Sequence, residues 1–299
     1  MKVMSWQIYK IIFQVCSPVH VGWGKIGNLQ LARPYLIGRV LWGALTMRLT
    51  RYMVKNGVAA QDSYQYQEVG KEVHRNLAFT YFYPALRKDN SYQIFWSWEN
   101  EAAFRYRFLS SYAGTALSYP QQSASRGMLW ETEFLSPNTI DTGEPVFLLG
   151  YIFAKEGCDL AWQKAMEHLQ LGGERGYGWG DVKLISISEN DGNTLFGQDI
   201  RFKEKEERPV VSLPDHARLL AHTIADGLDA NGKIEPLVGR KWCSNQQNNS
   251  YAGQYIDFNN FCFVPGSIIN KPTDFYIGNF GIWEKYNKLN RTYTVVNRL

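Results

Sequence analysis

The sequence predicts an α+β fold in two parts. Three observations lead there. β-branched and aromatic runs alternate with two segments of helical apolar spacing. The run Gly172–Gly180 holds five glycines in nine residues and falls between a helix-like and a strand-like segment. A polar, charged connector at 190–210 separates residues 1–189 from a loop-rich remainder, 190–299.

Taken in order, Gln7–Val15 (QIYKIIFQV) reads as a strand. Cys16–Tyr35 reads as a loop, punctuated by Pro18, Gly22, Gly24, Gly27 and Pro34. A helix follows from about Gly38 to Lys55. Leu41, Trp42, Leu45, Leu49, Tyr52 and Met53 form its apolar stripe, and Arg48, Arg51 and Lys55 lie three and four residues apart on another face. Residues 57–76 are polar and read as a loop with one helical turn. Phe79–Tyr83 and Gln93–Trp98 read as strands on either side of a turn at Lys88-Asp89-Asn90. Residues 110–140, rich in Ser, Tyr, Gln and Gly, read as an exposed insertion. Val146–Phe153 is a strongly apolar strand. Asp159 is placed to N-cap a helix running to Leu171, and Val182–Ser188 alternates as a strand after the glycine run. With allowance for extra strands, this order fits a split βαβ, ferredoxin-like unit, the architecture that includes the RRM-like RNA-recognition sheet. Beyond the connector, a short helix at Asp215–Gly227 and a loop-rich tail make a smaller second domain or extension.

Composition excludes several classes. With 45% hydrophobic and 20% charged residues, the chain can bury a core. Cys16, Cys158, Cys243 and Cys262 form no CxxC pair, which argues against a zinc ribbon or a disulfide framework and for a reducing setting. No signal peptide and no apolar run of membrane-spanning length is evident, so a soluble cytoplasmic protein is expected. The net charge is only +4, but residues 1–60 hold eight cations (Lys2, Lys10, Lys25, Arg33, Arg39, Arg48, Arg51 and Lys55) and no acid. The last segment likewise carries Lys285, Lys288, Arg291 and Arg298 without an acid.

The glycine run reads Leu171-Gly172-Gly173-Glu174-Arg175-Gly176-Tyr177-Gly178-Trp179-Gly180. A dinucleotide fingerprint needs strand, then glycine turn, then helix, so that the helix N-terminus meets the pyrophosphate. Here the order is reversed, and a helix C-terminus is the wrong end of the dipole for a phosphate. An anion would have to be held by backbone N–H groups, Arg175 and the rings of Tyr177 and Trp179, a combination suited to an RNA backbone. No P-loop, HExxH or GxSxG occurs. His216 and His222 are six apart and make no helical metal pair, and Asp226 and Asp229 read as a turn.

Two segments together carry a resemblance. The glycine run between a helix and a final strand is one. The other is residues 17–49, where Tyr35-Leu36-Ile37-Gly38 and then Gly43-Ala44 open the first helix. Phe263-Val264-Pro265-Gly266-Ser267 adds a short proline-glycine-serine element. On these residues the chain resembles the CRISPR-associated RAMP superfamily (repeat-associated mysterious proteins) over roughly residues 7–188. The resemblance implies a ferredoxin-like RAMP domain at 1–189, with 110–140 as an inserted, thumb-like segment and 190–299 as a C-terminal extension. It also implies a guide-RNA-binding subunit of a type III-like effector complex. The partners it implies are CRISPR guide RNA, with target RNA as a further candidate, other RAMP subunits and the large polymerase-like subunit. No cofactor, metal or membrane is implied.

The chain departs from the family pattern at two points. Cys16–Tyr35 contains no acidic residue, so the target-cleaving aspartate of type III backbone subunits is absent there, and a capping or specialised backbone role is expected. About 120 residues follow the glycine run, unlike the precursor-processing members. The expected RNA contacts are Gly172, Gly173, Arg175, Gly176, Tyr177, Gly178, Trp179 and Gly180 in the loop, with Trp23, Lys25, Arg33, Arg39, Arg48 and Arg51 from the basic segment. Two alternatives remain open. One is a metal-independent endoribonuclease in which His20, with Lys25 and a tyrosine, deprotonates a 2′-hydroxyl. The other is a scaffold that touches only proteins.

Overall fold

The computed structural model describes residues 5–53, 63–120, 122–190, 194–198, 201–203, 206–241, 243 and 255–286. Lys2, Lys55, Lys288, Arg291 and Arg298 lie outside them, as does part of the connector.

The first half comprises β1 (Trp6–Val15), β2 (Gly22–Ile26), β3 (Leu29–Ala32), α1 (Gly38–Met53), α2 (Ser63–Asn76), β4 (Leu77–Phe79), β5 (Tyr83–Lys88), β6 (Ser91–Ile94), α3 (Glu101–Phe108), β7 (Leu109–Ser118), β8 (Ser123–Leu135), β9 (Val146–Lys155), α4 (Trp162–Met166) and β10 (Val182–Glu189). The main sheet has the order β10-β1-β9-β5-β6, with β4 also on β9, and every pairing is antiparallel. Between β1 and β4 the chain passes through α1 and α2, and between β9 and β10 it passes through α4.

The sheet is covered on both faces. Leu41, Leu45 and Leu49 of α1, with Trp162 and Met166 of α4, pack on Ile11, Phe13, Leu148 and Ile152. The opposite face, with Trp6, Ile8, Phe147, Leu149, Tyr151 and Phe153, packs on Val211, Leu213, Leu219, Phe263, Phe275, Ile277 and Trp283. This double cover explains why β9 is apolar without alternation: its first nine residues are all buried. It also corrects one expectation. In an RRM the open sheet face stacks bases; here that face is occupied by the second half of the chain.

That second half forms a seven-stranded sheet from β11 (Arg201–Lys203), β12 (Val210–Leu213), β13 (Thr223–Ile224), β15 (Ile234–Lys241), β16 (Tyr255–Phe263), β18 (Thr273–Ile277) and β19 (Trp283–Lys285), in the order β11-β12-β18-β19-β13-β16-β15. β14 (Ala230–Asn231) and β17 (Ile268–Ile269) pair separately. Arg208 ties the halves together. Its guanidinium donates to the carbonyls of His74 and Leu77, at the end of α2, and of Ile277 and Gly278, beyond β18. A cation there meets the negative end of the α2 dipole.

Several segments differ from expectation, each for a physical reason. Residues 57–76 contain the fourteen-residue helix α2, whose narrow buried stripe (Val69, Gly70, Val73) is hidden in a polar sequence. Trp42 closes on it so tightly that its indole donates to the Gly70 carbonyl. Cys16–Tyr35 contains the β2–β3 hairpin; all five β2 residues are exposed, so no alternation betrays it. Within the expected exposed insertion at 110–140, β7 and β8 pair as an antiparallel ribbon with mostly exposed or half-buried residues, and β8 also joins β3. The helix expected from Asp159 to Leu171 is only Trp162–Met166, and its N-cap, Ala161, makes no side-chain cap bond. The helix expected at Asp215–Gly227 is absent. Leu219–Thr223 is instead buried throughout in non-helical backbone, with Leu219 bonded to Ser267 and Gly266. The strand expected at Phe79–Tyr83 is split between β4 and β5, and β6 ends at Ile94, before Trp96 and Trp98 turn into the core. No helix among the described residues is long and apolar enough to cross a membrane.

Candidate nucleic-acid interface

The glycine run closes on itself and on the segment that follows β1. Leu171 N–H donates to the Gly180 carbonyl at 2.7 Å, and Gly180 N–H donates to Pro18 at 2.7 Å. Gly173 N–H donates to the His20 carbonyl at 2.8 Å. Two glycines are required by this closure. At Gly172, with φ +88, a Cβ would lie 2.4 Å from the His20 carbonyl oxygen; at Gly180, with φ +86, it would lie 2.2 Å from that of Leu171. Between these pins, Arg175–Tyr177 forms one exposed 3-10 turn bounded by Glu174 and Gly178 in the left-handed region. Around Gly176 the space is open, and Tyr177 is 72% exposed.

α1 brings cations to this turn. Arg175 donates from Nε to the Gly172 carbonyl at 3.0 Å and from Nη1 to the Met47 sulfur at 3.5 Å. Arg51, one helical turn beyond Met47, lies close enough to repel it: burial first, then the Arg51 charge, lowers the Arg175 pKa. Arg48 stands three residues before Arg51 on α1, its Nε buried without a hydrogen-bond partner among the described residues. Among the described residues, no carboxylate forms an ion pair with Arg48, Arg51 or Arg175. Met47 was not singled out in the sequence, although its i, i+4 relation to Arg51 was available there.

The remaining expected contacts divide. Trp179 packs edge-on against Phe134 at 5.0 Å and Tyr112 at 6.4 Å, so it joins the loop to the base of the β7–β8 ribbon. Lys25 is exposed on β2. Arg33 is not at the surface: it is 9% exposed and pairs with Glu235 at 2.7 Å. Arg39 pairs with Asp257 at 3.2 Å and lies over the Phe280 ring at 4.6 Å. Trp23 lies between Arg33, at 6.0 Å, and Lys233, at 5.0 Å. These three residues therefore belong to the junction with the second sheet.

His222 completes that junction. It is fully buried, with Nε2 2.8 Å from the Glu235 carboxylate and Nδ1 2.8 Å from the Tyr81 hydroxyl. The neutral ring donates to Glu235 and accepts from Tyr81. Burial, the largest cause, pushes its pKa down to about 4 despite Glu235. Burial opposes ionisation of Glu235, but the His222 hydrogen bond and Arg33 outweigh it and hold the carboxyl at about 2.

His20 is only 7% exposed. Its Nδ1 lies 2.6 Å from the Glu133 carbonyl, an acceptor, so the ring proton sits on Nδ1. Its Nε2 faces Gly22, where an added Cβ would come within 2.8 Å. His20 thus joins the first hairpin, the ribbon and the glycine run.

No protein-family model matches the chain, and no curated protein matches it. Among solved structures it is similar to chains of Type III-B Cmr-beta assemblies. One, in a cryo-EM structure bound to cognate target RNA and AMPPnP (state 1), shares 10% identity over 87% of this chain and 85% of that chain, with a TM-score of 0.44. Another, from the assembly bound to cognate target RNA, shares 11% over 59% and 96%, with a TM-score of 0.38. A third, from the apo state, shares 9% over 62% and 97%, with a TM-score of 0.37. The functional reading therefore rests on this chain's own residues.

Proposed function

We propose that the chain is a guide-RNA-binding subunit of a type III-like CRISPR effector complex, holding RNA at the rim built by α1 and the glycine run. One observation carries this reading: Arg51 and Arg175 stand beside each other with no carboxylate paired to either among the described residues. Two like charges kept close cost stability, and a phosphate between them reverses the sign of the interaction. The exposed Tyr177 ring and the open backbone at Gly176 extend the rim toward a base and a second phosphate. The strand order β10-β1-β9-β5, with helices after the first and third of the four in chain order, supports a ferredoxin-like unit at 1–189, with 190–299 as its C-terminal domain. Neighbouring RAMP subunits, the large subunit and a cytoplasmic setting follow from the same reading.

The role is binding rather than cleavage. The endoribonuclease alternative needs an accessible base, and His20 is only 7% exposed with its Nδ1 committed to the Glu133 carbonyl. The test is titration of labelled single-stranded guide RNA with the purified chain over a range of salt. Each lost arginine–phosphate contact lowers the slope of log K against log salt by about 0.7. Arg51→Ala and Arg175→Ala are each expected to lower it; a flat salt response of the unaltered chain would leave a protein-only scaffold. Incubation of precursor RNA with the chain in EDTA is expected to leave the RNA intact, and cleavage lost in His20→Ala would restore the enzyme reading.

A further inference from the structure

We infer that Asp257 and Phe280, both from the second half of the chain, are positioning residues for the RNA rim: they grip the first turn of α1 and so keep its far end, with Arg51, against Arg175. The consequence for RNA rests on the binding role proposed above; the grip itself does not. Four contacts make it. A Cβ on Gly38 would lie 2.3 Å from the Phe280 carbonyl oxygen, so the two backbones touch. Arg39 pairs with Asp257 at 3.2 Å and lies over the Phe280 ring at 4.6 Å. Its guanidinium also rests on Gly239, where an added Cβ would come within 2.0 Å of Cζ. Trp42 meets the Phe280 ring edge-on at 4.9 Å while its indole holds Gly70 of α2. Phe280 reaches this place in left-handed backbone, φ 59 and ψ 20. A bulky residue keeps such a conformation only where its surroundings over-determine it.

Charge and leverage give the grip its effect. The first turn of α1 holds Arg39 and no acid, and a cation there opposes the helix dipole. Asp257 supplies both the counter-charge and the acid that this helix end lacks. The rest of the seat of α1 on the main sheet is apolar, through Leu41, Leu45 and Leu49. Apolar contact is non-directional and resists tilt poorly. At the far end, Arg51 repels Arg175, and the contact there is Arg175 Nη1 to the Met47 sulfur at 3.5 Å, a weak acceptor. Without a hold at the other end, that repulsion opens the gap between α1 and the glycine run. Arg39 and Arg51 are about 18 Å apart along the axis, so a tilt of about 3° moves Arg51 by about 1 Å. A phosphate held by both guanidinium groups needs them at one spacing.

The test uses the full chain and Asp257→Asn. Hydrogen exchange without RNA is expected to quicken about fivefold at residues 47–53 and to stay unchanged in β9. Unchanged exchange at 47–53, or an equal rise in β9 from general loosening, would overturn the proposal. Titration with labelled single-stranded guide RNA is expected to weaken about fivefold with the salt slope kept, because no phosphate contact is removed. The exchanged pair Arg39→Asp/Asp257→Arg should recover most of that loss. Equal or tighter RNA binding by Asp257→Asn would instead make Arg39 a direct RNA contact, freed by loss of its carboxylate. An exchanged pair no better than Asp257→Asn would likewise sink the positioning role. If the unaltered chain binds no RNA, the RNA reading falls, and the exchange measurement still decides the grip.

Discussion

Arg33 and Arg39 stand beside Arg48, Arg51 and Arg175 as the same residue type put to opposite use. The first pair comes from the acid-free N-terminal segment, yet each meets a carboxylate, Glu235 or Asp257, supplied about two hundred residues later. The second group faces no carboxylate among the described residues, and two of its members repel. Local acid-poverty in a sequence is thus not the same as unpaired charge in space. On the proposed reading, the arginines that fold without a counter-charge are the ones that hold RNA.

The comparison can be broken at its structural end first. Removing Glu235 leaves Arg33 buried without its counter-charge, and such a loss costs about 3–5 kcal/mol. Glu235→Ala should therefore lower the melting temperature by many degrees while leaving RNA affinity of the folded protein unchanged. A loss of affinity in the folded state would place Arg33 in the RNA site.

Acid is the next lever. His222, held down to about 4, and His74, pushed down to about 3 by burial and then by Arg208, are neutral in the fold. Unfolded, both protonate near 6.5. The unfolded chain therefore binds more protons between those values, and stability falls as pH drops from about 6.5 to 4. Glu235 adds a loss only lower, between its unfolded value of 4.5 and about 2. His222 alone accounts for on the order of 3 kcal/mol of this change. Thermal melts at pH 7 and pH 4.5 should show the drop, and His222→Gln should shrink it; an unchanged slope would remove His222 from the junction's energetics.

The two rings of the glycine run sharpen the contrast at a smaller scale. Tyr177 is exposed, so Tyr177→Ala should cost about 1–3 kcal/mol of RNA affinity with no change in melting. Trp179 packs on Phe134, so Trp179→Ala should lower the melting temperature as well. Reversal of this pattern in paired melting and titration curves would exchange their roles.

Much of the frame was legible in the sequence. The unbroken apolar run at Val146–Phe153 located the central strand β9, and helical spacing located α1. The glycine run was recognised between helix and strand because its closure demands glycine at two points. The β2–β3 hairpin was not legible, because a fully exposed strand loses the alternation that reveals it. Nor were the partners of Arg33 and Arg39, since ion pairs made across the fold leave no local pattern. The same blindness made the RRM-like sheet look open: nothing in residues 1–189 states that the second half will cover it.

The most direct measurement of the central claim is guide-RNA affinity of an Arg51→Ala/Arg175→Ala double variant alongside the unaltered chain, with thermal melting of both. Loss of RNA binding by about tenfold or more, with melting unchanged or raised because the repulsion is gone, is the predicted result. Undiminished RNA affinity in a folded double variant would contradict the account.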